Sequence, residues 1–168
     1  MHGLSKRLRN GHVEINTVDK CVEIKASTGS ILDKIFYSEL KPSDWGTIYE
    51  KHVAQWLFKE GYDVELRGLN KGFLDNGIDI IATKENQQVY AQCKYTFDGK
   101  LSKNHIEWIL YKASKILRDN YCGKKLEFWL VVPSKQQAFS MKKSGDRKIL
   151  YPNAEYFMSK NTTVRNNP

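Results

Sequence analysis

The sequence predicts an α/β fold in which a mixed central β-sheet is flanked by helices. Three observations predict it: a helical pattern near residues 44–60, a series of short apolar segments between 63 and 95, and a second helical pattern at 104–120 followed by a further apolar strand. Helices that alternate with strands pack most naturally against the faces of a sheet. The second helix is long enough to cross over between two strands of that sheet.

Residues 1–43 are predicted to be an N-terminal elaboration of the main domain. The first eleven residues are basic and contain Gly3 and Gly11, which favours a flexible arm. Residues 12–27 alternate apolar and polar side chains around a polar centre, which predicts two short strands of a hairpin. A segment of this length is too short to hold an independent core comfortably.

The main domain is predicted over residues 44–160. Its first helix has Ser43 or Asp44 as its N-cap and ends at Gly61. Strands follow at 63–69, 78–83 and 89–95, then the helix 104–120 and a buried strand that Pro133 ends. The segment from Ser134 is predicted to be helical before Gly145, and residues 161–168 are predicted to be disordered.

The charge balance favours a polyanionic partner. The chain has 27 Lys and Arg against 19 Asp and Glu, which gives a net charge of +8 and a pI near 9.3. Such an excess attracts nucleic acid through steering and counterion release, although a solvated basic surface would have the same composition. No apolar stretch follows the basic N-terminus and no window is apolar enough for a membrane span, so we expect a soluble, intracellular protein, cytoplasmic or nucleoid-associated.

The three cysteines argue against a zinc site or a disulfide framework. They lie far apart in the chain and form no CxxC pair. Three scattered thiols fit a reducing compartment, where they serve as small, partly buried side chains.

Four polar residues are candidates for an active site at the predicted sheet: Glu50, Asp79, Gln92 and Lys94. Glu50 lies in the first predicted helix, and Asp79 lies in the strand segment GIDIIA. Gln92 and Lys94 are two residues apart on the next strand, so they share one face of it. If the two strands pair as a hairpin, Asp79 lies beside them. Polar side chains on a central, buried strand need a reason to be there.

These residue types suit phosphodiester hydrolysis. A hard divalent cation such as Mg²⁺ or Mn²⁺ prefers oxygen ligands, which the Asp79 carboxylate and the Cys93 backbone carbonyl can supply. Lys94 can position or help deprotonate the attacking water and oppose the charge on the phosphate. Glu50 can hold a metal-bound water or a second ion.

The chain resembles the PD-(D/E)XK nuclease superfamily in the runs GTIYEKHVAQWLFKEGYDV, DNGIDIIA and VYAQCKY. It is most similar to Mrr-type restriction endonucleases and archaeal-type Holliday junction resolvases, which show a helix Glu, a G-[IV]-D strand and an [EQ]-x-K strand. The resemblance covers about residues 44–133 and implies a restriction-endonuclease-like fold and a homodimer acting on DNA. Many members carry an acidic residue where this chain has Gln92, and the neutral amide is a weaker ligand for a hard cation.

The predicted DNA contacts are basic residues that follow the third strand or lie on the second helix: Lys100, Lys103, Lys112, Lys115 and Arg118. A second basic cluster comprises Lys142, Lys143, Arg147 and Lys148. Contacts of this kind to phosphates confer affinity without sequence specificity. Asp75 is an alternative metal ligand, although a turn role suits its LDNG context better. His52 and His105 favour surface or capping roles.

Four functions remain open from the sequence. The first is a structure-selective DNA nuclease such as a junction resolvase, which the small size favours. The second is a sequence-specific restriction-like or homing-type endonuclease that uses residues 1–43 for recognition or dimerisation. The third is a weakly active nucleic-acid-binding module that keeps the fold, and the fourth is an RNA-cleaving toxin.

Overall fold

The computed structural model describes residues 2–71, 77–95, 101–121, 123–133, 141–144, 147–150 and 162–165. The fold is mixed α/β. Helices pack against a three-stranded sheet and a five-stranded sheet, and two further strands form a separate pair. In chain order the elements are α1 His2–Arg9, β1 His12–Asn16, β2 Cys21–Lys25, β3 Ile31–Phe36, a 3₁₀ turn Tyr37–Glu39, α2 Pro42–Lys59, β4 Asp63–Leu66, α3 Arg67–Lys71, β5 Ile80–Lys84, β6 Gln87–Cys93, α4 Lys103–Asp119, β7 Lys125–Val131, β8 Met141–Ser144, β9 Arg147–Leu150 and β10 Thr162–Arg165.

The main sheet has the strand order β10-β7-β6-β5-β4. Strands β4, β5 and β6 pair antiparallel, whereas β6 pairs parallel with β7, and β7 pairs parallel with β10. Helix α4 makes the crossover that a parallel β6–β7 pair requires. The predicted mixed sheet flanked by helices is therefore confirmed, and β6 occupies its centre.

The two faces of this sheet are covered by different helices. Alternate residues of β6 separate into two cores: Val89 and Ala91 lie in the same cluster as the buried residues of α2, and Tyr90 lies in the cluster that α4 covers. This division follows from the two-residue side-chain period of a strand. Both faces of β6 are consequently buried, which makes its polar residues unusual.

The N-terminal sheet is antiparallel, with the order β1-β2-β3. The hairpin predicted in residues 12–27 is confirmed as β1 and β2, and β3 adds a strand that the sequence did not predict. The buried cluster of this sheet also contains Ile48 from α2 and Leu69 from α3. Residues 2–40 therefore share a core with the main domain.

The expectation of a flexible basic arm at residues 1–11 is wrong for the part that the structure describes. Residues 2–9 form helix α1, and Leu8 is completely buried against the N-terminal sheet. Arg7 donates hydrogen bonds of 2.6 and 2.8 Å to the Asp33 carboxylate and one of 2.8 Å to the Lys34 carbonyl. Leu4 lies one turn before Leu8 and packs against the same cluster, so an apolar stripe and an ion pair hold the segment in place.

The start of α2 also differs from the prediction. The helix begins at Pro42 and Lys41 is its N-cap, whereas Ser43 or Asp44 was expected to cap it. Asp44 instead occupies the third helical position and accepts a hydrogen bond of 2.8 Å from the Lys41 backbone N–H. Proline suits the first helical turn because its missing N–H would have no partner there. The helix ends just before Gly61, as predicted.

Two expectations for the C-terminal part need correction. Residues 162–165 form strand β10 on the edge of β7, where disorder over 161–168 was predicted, and the main sheet extends past residue 160. Thr162, Thr163 and Val164 are β-branched and suit an edge strand. Residues 141–144 and 147–150 form the antiparallel pair β8–β9, and they do not continue the helix expected from Ser134. Among the described helices, none combines the length and apolarity needed to cross a bilayer.

Candidate active site

The candidate site lies at the end of the main sheet where β5 begins and β6 ends. The two strands are antiparallel, with Ile80 opposite Ala91, so Asp79 and the residues after Ala91 meet at the same end. Asp79 and Gln92 are only 8% and 9% exposed. Buried polar side chains on a central strand must be compensated by hydrogen bonds or by a ligand.

Asp79 is held in place from two sides. Its backbone N–H donates to the Ala91 carbonyl over 2.9 Å, and its carbonyl accepts from the N–H groups of Arg67 and Gly68 at 2.8 and 3.0 Å. Its Oδ2 accepts a hydrogen bond of 2.6 Å from the Cys93 N–H. The carboxylate is thus fixed against the end of β6, in a position that does not depend on solvent.

Gln92 connects Lys94 to the start of β5. With its amide oriented so that both ends are satisfied, the Gln92 nitrogen donates to the Gly77 carbonyl over 3.2 Å, and the oxygen accepts from Lys94 Nζ over 3.2 Å. Gly77 has φ +80°, a backbone conformation that favours glycine, and a Cβ at this position would lie 3.5 Å from the Gln92 amide. Gln92 therefore positions the lysine and the turn before Asp79.

Glu50 lies on α2, and its carboxylate reaches the site by passing close to Gly68. A Cβ on Gly68 would overlap the Glu50 carboxylate and would lie 3.7 Å from the Asp79 Cα. Gly68 is the second residue of α3, the helix that follows β4 directly. Its lack of a side chain lets the Glu50 carboxylate approach the backbone that carries Asp79.

The Cys93 thiol lies close enough to Asp79, Glu50 and Lys94 to be affected by their charges. Its side chain is buried, and burial is the main reason that the pKa of its thiol is raised well above the ordinary value. The negative charges of Asp79 and Glu50 raise this pKa further, and the positive charge of Lys94 opposes them. The structure therefore brings together all four residues that the sequence singled out.

The donor set at this end of the sheet is rich in oxygen. In an extended strand the N–H and C=O of one residue point to the same neighbour, so the Cys93 carbonyl faces the side on which its N–H meets Asp79. The Lys94 N–H points the other way and donates to the Val131 carbonyl of β7 over 2.9 Å. Asp79, Glu50 and the Cys93 carbonyl are ligands that fit a hard divalent cation. The Gln92 oxygen is already engaged with Lys94.

A different group of three side chains could also ligate a metal: Asp19, Cys21 and Glu23 in the N-terminal sheet. The Glu23 carboxylate accepts a hydrogen bond from Asn16 and forms ion pairs of 3.2 and 3.3 Å with Lys25 and Lys34. Two lysines already balance its charge, so this group is an ion-pair network of the sheet.

Aromatic packing next to Lys94 was not predicted. Tyr95 stacks on Trp45 with ring centroids 6.3 Å apart and packs against Tyr49 at 5.6 Å. Both partners belong to the first half of α2, which also carries Glu50. The contacts fix the chain just after Lys94 to the helix that supplies the second carboxylate. No local pattern in the sequence indicates this, and none marks Gly68, because both depend on long-range packing.

The predicted DNA-contacting residues that the structure describes lie on helix α4 and not among the four site residues. Lys103, Lys112, Lys115 and Arg118 are exposed on α4, with Lys103 3.6 Å from Glu107 and Arg118 3.2 Å from Asp119. Lys100 and Asp75 lie outside the described residues. The second basic cluster lies on β8 and β9, where the structure describes the backbone alone.

A scan against protein-family models finds no match, and no curated protein matches the chain. The geometry of the site is therefore the main indication of function.

Proposed function

We propose that this protein is a metal-dependent endonuclease that hydrolyses phosphodiester bonds in DNA. One observation carries the proposal: Glu50, Asp79, Gln92 and Lys94 converge at one end of the central sheet around the backbone of Cys93. Two carboxylates and a carbonyl with a lysine beside them match what phosphoryl chemistry needs, namely oxygen ligands for a cation and a positive charge facing the phosphate.

Each residue has a distinct part in the proposed reaction. Asp79 and the Cys93 carbonyl would hold Mg²⁺ or Mn²⁺, and Glu50 would hold a metal-bound water or a second ion. Such a cation lowers the pKa of bound water and opposes the charge of the phosphate. Lys94 faces the attacking water and the phosphate oxygens, and the hydrogen bond from its ammonium to Gln92 restricts its position. Gln92 acts through Lys94 and is a positioning residue.

The restriction-endonuclease-like fold and membership of the PD-(D/E)XK superfamily are part of this proposal. Their support is that the helix glutamate, the G-I-D segment and the Q-x-K strand lie on α2, before β5 and at the end of β6. A strand triplet β4–β5–β6 followed by a helical crossover to the parallel β7 is compatible with that architecture.

For the substrate we favour branched DNA, cut by a homodimer that places two sites on symmetric strands. The N-terminal sheet shares a buried cluster with α2 and α3, so it packs onto the unit that carries the site and does not form a separate domain. The preference for branched DNA is supported by this lack of a separate domain for sequence recognition. The net charge of +8 suits binding through phosphates, which does not require reading of bases. A sequence-specific, restriction-like endonuclease is the alternative.

The test is a cleavage panel with the full chain and Mg²⁺ or Mn²⁺. The substrates are a four-way junction, a linear duplex, single-stranded DNA and tRNA, and the variants are Asp79→Ala and Lys94→Ala. Asp63→Ala, which removes an exposed carboxylate from β4 of the same sheet, is the matched control. We expect paired nicks in the junction with the wild type and Asp63→Ala, and none with the site variants.

The other outcomes separate the alternatives. Cleavage of the linear duplex at one sequence would select a restriction-like enzyme, and cleavage of tRNA alone would select an RNA-cleaving toxin. Binding without cleavage would leave a nucleic-acid-binding module. Full activity in Asp79→Ala and Lys94→Ala would refute the proposed site.

A further inference from the structure

Helix α4 exposes two stacked aromatic rings on the side that faces away from the sheet. Trp108 and Tyr111 are 55% and 62% exposed, whereas Ile106, Ile109 and Ala113 of the same helix are buried. The two rings lie 5.8 Å apart between centroids with an angle of 18° between their planes. Large aromatic side chains usually stabilise a fold by burial, so this pair has no role in the described core.

The aromatic pair belongs to a basic face. Residues three and four apart lie next to each other on a helix, which places Trp108, Tyr111, Lys112 and Lys115 together. The Lys112 ammonium lies 5.1 Å from the centroid of the Trp108 ring. We call these four residues the α4 face.

The charge of the α4 face is not balanced within the described part of the chain. The acidic neighbours on this helix are engaged elsewhere, since Glu107 pairs with Lys103 and Asp119 pairs with Arg118. No described carboxylate lies within ion-pair distance of Lys112 or Lys115. The face therefore offers two cations and two flat rings to a partner.

We infer that the α4 face binds an unpaired strand of DNA, with bases stacking on Trp108 and Tyr111 and phosphates meeting Lys112 and Lys115. Base–aromatic stacking next to a positive groove is the general mode of single-strand binding. Within a continuous duplex the base faces are covered by their neighbours, so away from the duplex ends exposed rings can stack only on unpaired bases. A protein partner is less well matched, because lysine is depleted at the centres of protein interfaces.

The assignment of the strand to DNA rests on the proposed nuclease function, whereas the stacking itself does not. Unpaired nucleotides occur at the centre of an opened branch point. A surface that holds such a strand would favour branched substrates over continuous duplex, which deepens the substrate preference proposed above.

The experiment measures equilibrium binding of fluorescent oligo(dT), the same length of oligo(rU) and a blunt duplex to the full chain without divalent metal, so that no cleavage occurs. The main variant is Trp108→Ala with Tyr111→Ala, and the double change of both residues to Phe tests whether the rings alone suffice. Phe58→Ala is the matched control, because Phe58 is an exposed aromatic residue of α2 at 70% exposure. Lys112→Ala with Lys115→Ala tests the phosphate contacts.

We expect the double alanine variant to bind oligo(dT) about tenfold or more weakly and to bind duplex as the wild type does. The double phenylalanine variant and Phe58→Ala should bind oligo(dT) within about threefold of the wild type. Removal of the two lysines should reduce the slope of log affinity against log salt by about 1.4 for a single strand.

Unchanged oligo(dT) affinity in the double alanine variant would overturn the inference. If that variant instead converted a dimer into a monomer with unchanged DNA binding, the α4 face would be a self-association surface. Tighter binding of oligo(rU) than of oligo(dT) would overturn the assignment to DNA. A wild type that binds oligo(dT) through the rings but cleaves nothing would refute the proposed nuclease and leave the α4 face as a binding site.

Discussion

The Cys93 backbone N–H donates a hydrogen bond of 2.6 Å to the carboxylate of Asp79. Both residues are buried; Asp79 immediately precedes β5, and Cys93 ends the neighbouring strand β6. The bond orients the carboxylate toward the end of β6, where the Cys93 carbonyl, Lys94 and Glu50 also converge. This hydrogen bond stabilises the fold, and the same carboxylate is proposed to bind the metal. Substitution of Asp79 can separate the two roles.

Asp79→Asn and Asp79→Ala should separate stability from activity. The amide oxygen of Asn can still accept from the Cys93 N–H, whereas Ala leaves that buried donor without its partner. We expect Asp79→Ala to lower the free energy of unfolding by about 1–3 kcal/mol and Asp79→Asn to lower it by less. Both should lose cleavage, because neither supplies a carboxylate to the metal. Denaturant unfolding and the junction assay measure the two effects, and an active Asp79→Asn enzyme would refute the metal role.

Gly68→Ala should displace Glu50. The added methyl group overlaps the Glu50 carboxylate, which lies at the end of a flexible side chain and can move away. Stability should therefore change little, while metal-dependent cleavage falls by about tenfold or more if Glu50 must hold a water or an ion at its present position.

Gly46→Ala is the control for this change. Gly46 lies within α2, and a Cβ there meets nothing within 4 Å. Alanine should raise the free energy of unfolding by about 0.5–1 kcal/mol and leave cleavage unchanged. A Gly68→Ala protein as active as the wild type would mean that the position of Glu50 is unimportant.

Gln92→Glu should alter the dependence on metal. The glutamate can still accept from Lys94, but it loses the hydrogen bond from the amide nitrogen to the Gly77 carbonyl. A third carboxylate at the site should bind a divalent cation more tightly, so half-maximal cleavage is expected at a lower Mg²⁺ concentration. Gln92→Leu, which removes both hydrogen bonds, should instead reduce the rate. An unchanged Mg²⁺ titration in Gln92→Glu would show that this side chain lies away from the metal.

Two histidines should make stability depend on pH. His12 and His52 line a cleft of about 530 Å³ between β1 and α2, together with Lys59. Burial is the main cause that lowers the pKa of each histidine below the ordinary 6.5, and the charge of Lys59 contributes in both cases. The charge of Glu14 opposes the shift at His12.

A lowered pKa means that the unfolded chain takes up protons more readily than the folded one. The histidine contribution to stability is therefore complete above the unfolded pKa of 6.5 and is lost as the pH falls from that value through the lower pKa of the folded state. Denaturant unfolding between about pH 8 and 5 should show this decline, and His12→Gln with His52→Gln should flatten it. His105→Gln, at an exposed position of α4, is the control. A double variant with the wild-type pH profile would contradict the assignment.

Much of the sheet could be predicted from local patterns. Alternation around Val89 and Ala91 identified the central strand, and the 3.6-residue period identified α2 and α4. The same patterns placed Asp79 and Lys94 on adjacent strands, because an antiparallel hairpin brings the start of one strand beside the end of the other. These features depend on neighbours in the sequence, which is why they could be recognised without a structure.

The errors lie where partners are distant in the chain. Helix α1 is ordered because Leu8 enters a core made by strands that follow it and because Arg7 meets Asp33. Strand β10 forms because the edge of β7 is open to a partner. Composition alone had predicted a flexible arm at residues 1–11 and a disordered tail at residues 161–168.

The sequence by itself determined the order of the main elements and the identity of the four polar residues, because periodicity and residue chemistry are local properties. Only the tertiary structure decided which contacts those residues make with one another. It showed that the Gln92 amide lies against Gly77, that Gly68 admits the Glu50 carboxylate, and that Trp108 and Tyr111 remain exposed together. Each of these facts is a close approach between groups far apart in the chain or a surface left uncovered by packing, and no local pattern specifies either.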